Sequence, residues 1–569
     1  MSMALGAVMA GVAQLLLWLI EVLTGVAFFG KFAAASPADN QLGLAVVIIP
    51  VIGGILVGLM ARFGSPAIRG HGIPEAMEKV LENESRIPAR LTFLKPLSAA
   101  ISIGTGGPFG AEGPIIATGG AGGSLLGQIF PSSAAERKTL LAAGAAAGMA
   151  ATFGSPLSAI LLAVELLLFE FKARSLIPVI LAVSVATALR VAWVGSHPVF
   201  PMPNISPPAL SAFAVYLSIA VLFGVAAIGL SRVVYAIEDA FHKLPIHWMW
   251  WPAIGGIVVG LIGFFEPRTL GVGYYNITEN LAGTGTLLTI LLLCTLKFLS
   301  WSVALGSGTS GGTLAPLMTI GSALGLMAGI ILQKIVPAVD PHLMALLGMA
   351  CVFGGASQAL LASSVFAFET TGQTDALFPL LACCAVSVLV VRTLGRTSIM
   401  TEKIERRGIS VPSQFGVDVF EHTRVADVMD ANPVTLTADM PLAELARKIA
   451  SHDPTLGPRQ AHPVLTGEGR LTGIITRGDV IRVIETASPQ AVVSDYATKN
   501  LICVTPNDVL HVAIQKLLLH DIGRLLVVSD DDSSRLLGYL SRSAILSARW
   551  KVLNEEAAEP SPWGPTKQA

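Results

Sequence analysis

Gly104-Thr-Gly-Gly-Pro-Phe-Gly-Ala-Glu112-Gly-Pro114 sets a single carboxylate among glycines inside a strongly apolar chain. Glycine lets the backbone approach a ligand closely, and proline fits the first turn of a helix. The stretch therefore predicts a helix beginning near Glu112 with its first N–H groups unbonded, a ready seat for an anion. An ionised carboxylate at that place can occupy the seat itself, and protonation would release it. On this reading Glu112 is a movable plug that competes with a permeating anion. The spacing fits equally a second reading, in which Glu112 only caps a buried helix.

Around this stretch the composition is that of a membrane protein: 569 residues, only 13% charged, with a mean hydropathy of +0.68. Residues 1–400 hold 19 Lys+Arg and 17 Asp+Glu, whereas 401–569 hold 18 and 21, so a bilayer part is followed by a soluble part. A net charge of −1 gives no basic surface for nucleic acid. Cys294, Cys351, Cys383, Cys384 and Cys503 lack metal-ligand spacing and read as buried thiols in a reducing compartment. Residues 1–30 are apolar without a basic leader, which predicts a first membrane helix and no cleaved signal.

Apolar runs of membrane length lie near 4–29, 42–60, 176–194, 213–231, 251–265, 284–305 and 376–394. Between them, 96–130, 140–168, 306–333 and 343–369 are apolar but interrupted by Gly and Pro. Broken helices are tolerated at membrane depth where protein satisfies the freed backbone, usually beside a polar cavity.

The chain also repeats itself. Gly104, Gly106, Gly110, Pro114, Gly119 and Ala121 find Gly306, Gly308, Gly312, Pro316, Gly321 and Ala323 at a constant offset of 202. Gly144, Ala146, Ala163 and Glu165 find Gly348, Ala350, Ala367 and Glu369 at 204. Two membrane halves, roughly 1–200 and 210–400, follow, and interrupted helices in corresponding places point to an ion site where half-helices converge.

Gly70-His-Gly-Ile-Pro74 followed by Glu75, Gly110-Ala-Glu-Gly-Pro114, and Gly312-Thr-Leu-Ala-Pro316 resemble, in order and spacing, the three signature loops of CLC chloride channels and transporters. The resemblance covers residues 1–410. It implies an all-α polytopic membrane protein of two inverted repeats with broken helices, assembled as a homodimer in the lipid bilayer, each subunit with its own pathway for chloride or a similar small anion. Glu112 matches the family's gating glutamate. Gly70, Gly72, Ile73 and Pro74 match the first loop; Gly110, Ala111, Gly113, Pro114 and Ala315 would line the pathway, and the amides of Thr313 and Leu314 would face the anion.

Departures from the family pattern matter as well. His71 stands where many members have a serine, and Met400 where many have a tyrosine, so both anion-binding hydroxyls would be missing. His71 then either donates an N–H or faces water and contributes only its backbone. Ala111 replaces a basic residue. Leu166 follows Glu165 where antiporters commonly carry a second acid, and a leucine cannot relay a proton. Passive, glutamate-gated anion conduction is accordingly the first reading, proton-coupled antiport the second, and a non-conducting nucleotide-sensing scaffold a remote third. Glu165 is expected to be hydrogen-bonded to the partner half, as is its equivalent Glu369. Lys297 is expected to snorkel or to pair with a carboxylate.

Beyond 408 two segments repeat a strand-helix-strand-strand-helix rhythm, over 420–486 and 490–550, resembling paired CBS domains as a small α/β tandem on the cytoplasmic side of a plasma or inner membrane. Gly473-Ile-Ile-Thr-Arg-Gly-Asp479 resembles the signature in which a hydroxyl and an acid, here Thr476 and Asp479, hold the ribose and phosphate of an adenine nucleotide. The second copy has Ala544 in place of the acid. A nucleotide-binding reading and a purely structural one both stand, and no cofactor is required for conduction. Residues 555–569, rich in Pro, Ala and charge, read as an unstructured end. An enzyme is not expected: Gly306-Ser-Gly-Thr-Ser-Gly311 fits the dinucleotide pattern, but it follows a membrane-length run and no acid lies about twenty residues on.

Overall fold

The structure, a computed structural model, describes residues 1–82, 85–395, 398–407, 420, 423–456 and 459–558. It divides into two compact units, Met1–Phe415 and Gly416–Ala569. In the first unit the helices α1 (Ser2–Phe29), α2 (Ile48–Leu59), α3 (Ile73–Glu82), α4 (Leu91–Gly104), α5 (Glu112–Ile129), α6 (Ala134–Phe153), α7 (Pro156–Ala163, extended by a π turn Val164–Leu168) and α8 (Ala173–Val194) form one half. The order recurs as α9 (Leu210–His242), α10 (Trp251–Phe265), α11 (Tyr274–Leu281), α12 (Leu287–Gly306), α13 (Leu314–Gln333), α14 (Pro341–Ser357), α15 (Leu360–Thr371) and α16 (Leu377–Leu394). Among the described residues, eight helical segments are long and apolar enough to cross a membrane.

All four interrupted stretches break where the sequence changes character. The α4–α5 and α12–α13 breaks contain the repeat-equivalent glycines Gly106 (φ 97°) and Gly308 (φ 77°), a region closed to most other residues. α9 is an exception to the hydropathy reading. Its apolar run ends near 231, but the helix continues to His242, and Arg232, Ala236, Glu238 and Ala240 in this stretch are good helix formers.

Two features build the core. The pairs α5/α6 and α13/α14 approach backbone to backbone: a methyl group on Gly119 would collide with the Gly144 carbonyl, and one on Gly321 with the Gly348 carbonyl. Small residues allow this close packing where water-driven burial is absent. The second feature is a reciprocal clamp. Glu165, past the end of α7, accepts N–H bonds from Leu361 (3.0 Å) and Ala362 (2.9 Å) at the start of α15. Glu369, near the end of α15, accepts them from Leu157 and Ser158 at the start of α7, both 2.9 Å. Each helix thus presents its C-terminal carboxylate to the other's N-terminus, so the two run antiparallel about a pseudo-two-fold axis perpendicular to them. α7 with its π turn and α15 are shorter apolar helices, and their reversal against each other is the relation expected of inverted halves.

The second unit contains two copies of one motif. β1 (Leu436–Thr437) pairs parallel with β2 (Ala461–Leu465), which pairs antiparallel with β3 (Leu471–Thr476); β4 (Cys503–Val504), β5 (Arg524–Val528) and β6 (Leu536–Ser541) repeat this. Helices Leu442–Ala450 and Leu510–Leu519 supply the parallel crossovers. Leu471, Leu526 and Val528 form a buried cluster joining the copies. The last helix, Arg542–Ala558, continues past the point where the unstructured end was expected, and residues 559–569 lie outside the described residues. Cys503 is half-buried, unlike the four membrane cysteines, which are buried.

Candidate anion pathway

The three glycine loops meet. The Gly110 amide donates to the Gly312 carbonyl (3.3 Å), Gly312 returns a bond to Gly110 (3.0 Å), and the Gly311 amide donates to Gly70 (3.4 Å). A methyl on Gly113 would strike the His71 carbonyl, so the first loop rests on the start of α5. Positive φ at Gly70 (88°) and Gly72 (93°) turns that loop sharply into α3. The N-termini of α3, α5 and α13 therefore gather at one place, with their unbonded amides available to a negative charge.

Glu112, fully buried, is the first residue of α5. Its Oε1 accepts a hydrogen bond from the Tyr274 hydroxyl at 3.1 Å. Its other oxygen lies over Gly110, where a methyl group would collide with it, and near Ala315 at the start of α13. The Ala315 amide faces the carboxylate, yet Oε2 is buried without a hydrogen-bond partner of regular geometry. Ala111, Pro114, Thr313, Leu314 and Ala315 are buried around it, and the Thr313 hydroxyl is likewise unpartnered.

His71, Ile73 and Pro74 are buried in the first loop. His71 lines a cavity of about 380 Å³ together with Arg69, Glu75, Tyr235, Glu238 and Lys403, and its Nδ1 is buried without a partner. Glu75 accepts the Gly72 amide at 2.7 Å and lies 3.7 Å from Lys403. Met400 is buried, and its amide donates to Ser398 Oγ. Its neighbour Ile399 receives the Tyr235 hydroxyl through its carbonyl (2.8 Å), so a tyrosine from α9 enters the wall of this cavity although position 400 itself lacks one. Leu166 is buried within the π turn after α7.

Sequence reasoning missed Tyr274, and its expectation for Lys297 requires correction. The loop Gly70-His-Gly-Ile-Pro-Glu75 has a repeat mate, Gly271-Val-Gly-Tyr-Tyr-Asn276, so Tyr274 answers Ile73 and Asn276 answers Glu75. Lys297, fully buried, neither snorkels nor meets a carboxylate among the described residues. Its Nζ donates to the carbonyls of Thr269 (2.9 Å) and Gly271 (3.0 Å). Lys95 does the same in the first half, donating to Ile68 (2.8 Å) and Gly70 (2.9 Å).

In the second unit Thr476 and Asp479 are brought together but satisfy one another: the Thr476 hydroxyl donates to Asp479 Oδ2 at 2.7 Å and accepts the Asp479 amide at 3.1 Å. The pair caps the helix Arg477–Val483.

Residues 53–392 match the family model described as voltage gated chloride channel, and residues 425–486 and 493–551 each match the CBS domain model. The chain is 28% identical over 377 residues to a Vibrio parahaemolyticus protein named H+/Cl− exchange transporter ClcA, covering 64% of this chain and 80% of that one. It is 26% identical over 498 residues to Arabidopsis thaliana chloride channel protein CLC-f, covering 77% and 62%. Among solved structures it resembles a slow cyanobacterial Cl−/H+ antiporter with a TM-score of 0.65 and 23% identity, over 71% of this chain and 96% of that one. The gathered glycine loops, the inverted halves and these matches together place the chain in the voltage gated chloride channel (CLC) family of multi-pass membrane proteins, with a pair of CBS domains following its membrane part.

Proposed function

We propose that the protein exchanges a small anion, chloride by kinship, for protons across a membrane, with Glu112 as the group that alternately fills the anion's place and takes up a proton. The observation that supports this is the Glu112 carboxylate, buried where the α5 and α13 N-termini meet and tied on one oxygen only, to Tyr274. A bare anion loses its water shell at large cost unless several donors replace it. The amides around Gly113 and Thr313 to Ala315 are those donors, with His71 approaching from the cavity side. The ionised carboxylate competes for these donors; an arriving anion repels it, and a proton neutralises it. Binding shared in this way stays weak enough to release the anion.

The exchange reading ranks above passive conduction, reversing the order set by Leu166 alone, because relatives of this chain are named as exchangers. The buried leucine at 166 favours conduction without coupling as the second reading. Further parts of the proposal are a homodimer with a pathway in each copy, cytoplasmic CBS domains, and an adenine nucleotide held at Thr476 and Asp479, for which their mutual capping bonds would have to open. Purified protein in liposomes tests the whole. An imposed chloride gradient that drives protons uphill supports exchange, chloride flux without proton movement supports the channel, and no flux in folded protein refutes both.

A further inference from the structure

We propose that Lys297 is a fixed positive charge that draws the permeating anion into the Tyr274 side of the pathway and favours the ionised form of Glu112. The two halves hold their loops with the same device, a buried lysine bonded to two loop carbonyls, but they differ in what faces it. In the first half, position 75 is a glutamate, and Lys403 joins it. In the second, the equivalent position is Asn276, fully buried and neutral, with its Oδ1 unpartnered. A side chain at Gly273 would meet both Asn276 Nδ2 (2.8 Å) and Lys297 Nζ (3.2 Å), so these two groups are neighbours.

Among the described residues, the surroundings of Lys297 supply no fixed counter-charge. α10 and α13, packed against α12, contain no charged residue. The charged end of α9, with Arg232, Glu238, Asp239 and His242, meets α12 at Gly306, nine residues or about 13 Å along the helix. Arg268 is paired with Glu266 (2.8 Å) and Glu279 (3.5 Å), and Tyr275 donates to the Arg268 carbonyl. Around Glu112, charged groups on neighbouring helices are Glu75, Glu78 and Lys79 of α3, Lys95 of α4, Glu21 of α1, and Glu136, Arg137 and Lys138 at the far end of α6. A buried ammonium without a fixed partner is costly, and a mobile anion or the Glu112 carboxylate provides the missing charge. The route between them is short in contacts: Lys297 holds Gly271, the loop runs directly into Tyr274, and Tyr274 touches Glu112. Lys297 thus supplies the attraction that a basic residue at position 111 would give.

The inference deepens the proposed function: it rests on the anion pathway for the affinity effect and on the Glu112 plug for the pH effect. Chloride flux into liposomes is measured against chloride concentration and pH. Lys297→Met is expected to weaken apparent chloride affinity about tenfold and to move the pH of half-maximal flux up by about one unit, whereas Lys297→Arg keeps both near wild type. Asn276→Asp, which retains the lysine but installs an acid beside it, shifts both in the same directions. In a Glu112→Gln background the pH effect disappears while the affinity loss from Lys297→Met persists, separating failure of the plug from failure of this inference. Wild-type affinity in folded Lys297→Met, or in Asn276→Asp, overturns the charge role and leaves Lys297 a brace for the loop. Should Lys297→Met not fold, Asn276→Asp decides alone.

Discussion

Removing the hydroxyl of Tyr274 tests whether it tunes the Glu112 carboxylate. Tyr274→Phe keeps the ring, which packs edge-on against Phe153 (centroids 5.7 Å) and Phe200 (5.9 Å), and deletes the hydroxyl with its 3.1 Å bond to Glu112 Oε1. A hydrogen bond to a charged group contributes about 1.5–3 kcal/mol, roughly twice a neutral one. About half of it, roughly 1–1.5 kcal/mol, therefore distinguishes the ionised from the protonated carboxylate, and about 1.4 kcal/mol corresponds to one pH unit. The ionised plug loses this support in the variant, so half-maximal flux should move upward by about one pH unit, with the maximum unchanged. The assay is chloride efflux from liposomes across about pH 4 to 8, a range spanning ordinary and raised carboxylate values. A Tyr274→Phe profile superimposed on wild type, in a protein where Glu112→Gln abolishes the pH dependence, refutes the coupling of hydroxyl to plug.

Glu112→Gln and Glu112→Ala should retain chloride flux while losing its pH dependence and any uphill proton movement; loss of all flux in folded protein contradicts the plug. Glu369→Gln should lower stability in detergent by about 2 kcal/mol, because a neutral amide replaces a carboxylate that accepts two N–H bonds, and Glu165→Gln should do the same; an unchanged unfolding temperature for both argues against the clamp. In the CBS unit His462 is buried with Nε2 unpartnered, and burial holds its pKa below the ordinary imidazole value. Above about pH 6.5 the ring is neutral folded or unfolded and contributes nothing to the pH dependence. Below that, the unfolded chain takes up the proton first, so stability falls as the pH drops toward the lowered value. Full-length His462→Gln should flatten this acid-side loss in thermal unfolding of the CBS unit.

Much of the membrane part was legible because glycine and proline positions are dictated by backbone geometry, which both halves share. Thus Gly104 to Pro114 and Gly306 to Pro316 exposed the duplication and the two breaks between α4 and α5 and between α12 and α13. Tyr274 escaped because its loop aligns with the first at an offset of 201, one residue out of register with the 202 of the following segment, and only its two glycines are shared. Lys297 was misread because the groups satisfying it are backbone carbonyls, which sequence does not distinguish. The reach of α9 beyond 231 was hidden for a different reason: hydropathy marks where lipid contact stops, whereas the helix stops where its hydrogen bonding does. Leu166 was read correctly as an apolar side chain, but one position could not rank exchange against conduction.

The reciprocal bonds between α7 and α15 bear on biogenesis. Leu157 and its acceptor Glu369 are 212 residues apart, so at about 5–20 residues per second the ribosome leaves the start of α7 without its partner for roughly 10–40 s. Through that interval the newborn amino-terminal fragment sits in the bilayer with two bare amides at a helix tip. The later fragment would emerge equally incomplete if made by itself. Maturation thus becomes a joining of two mutually dependent pieces, and severing the gene between them should yield fragments that survive only when co-expressed.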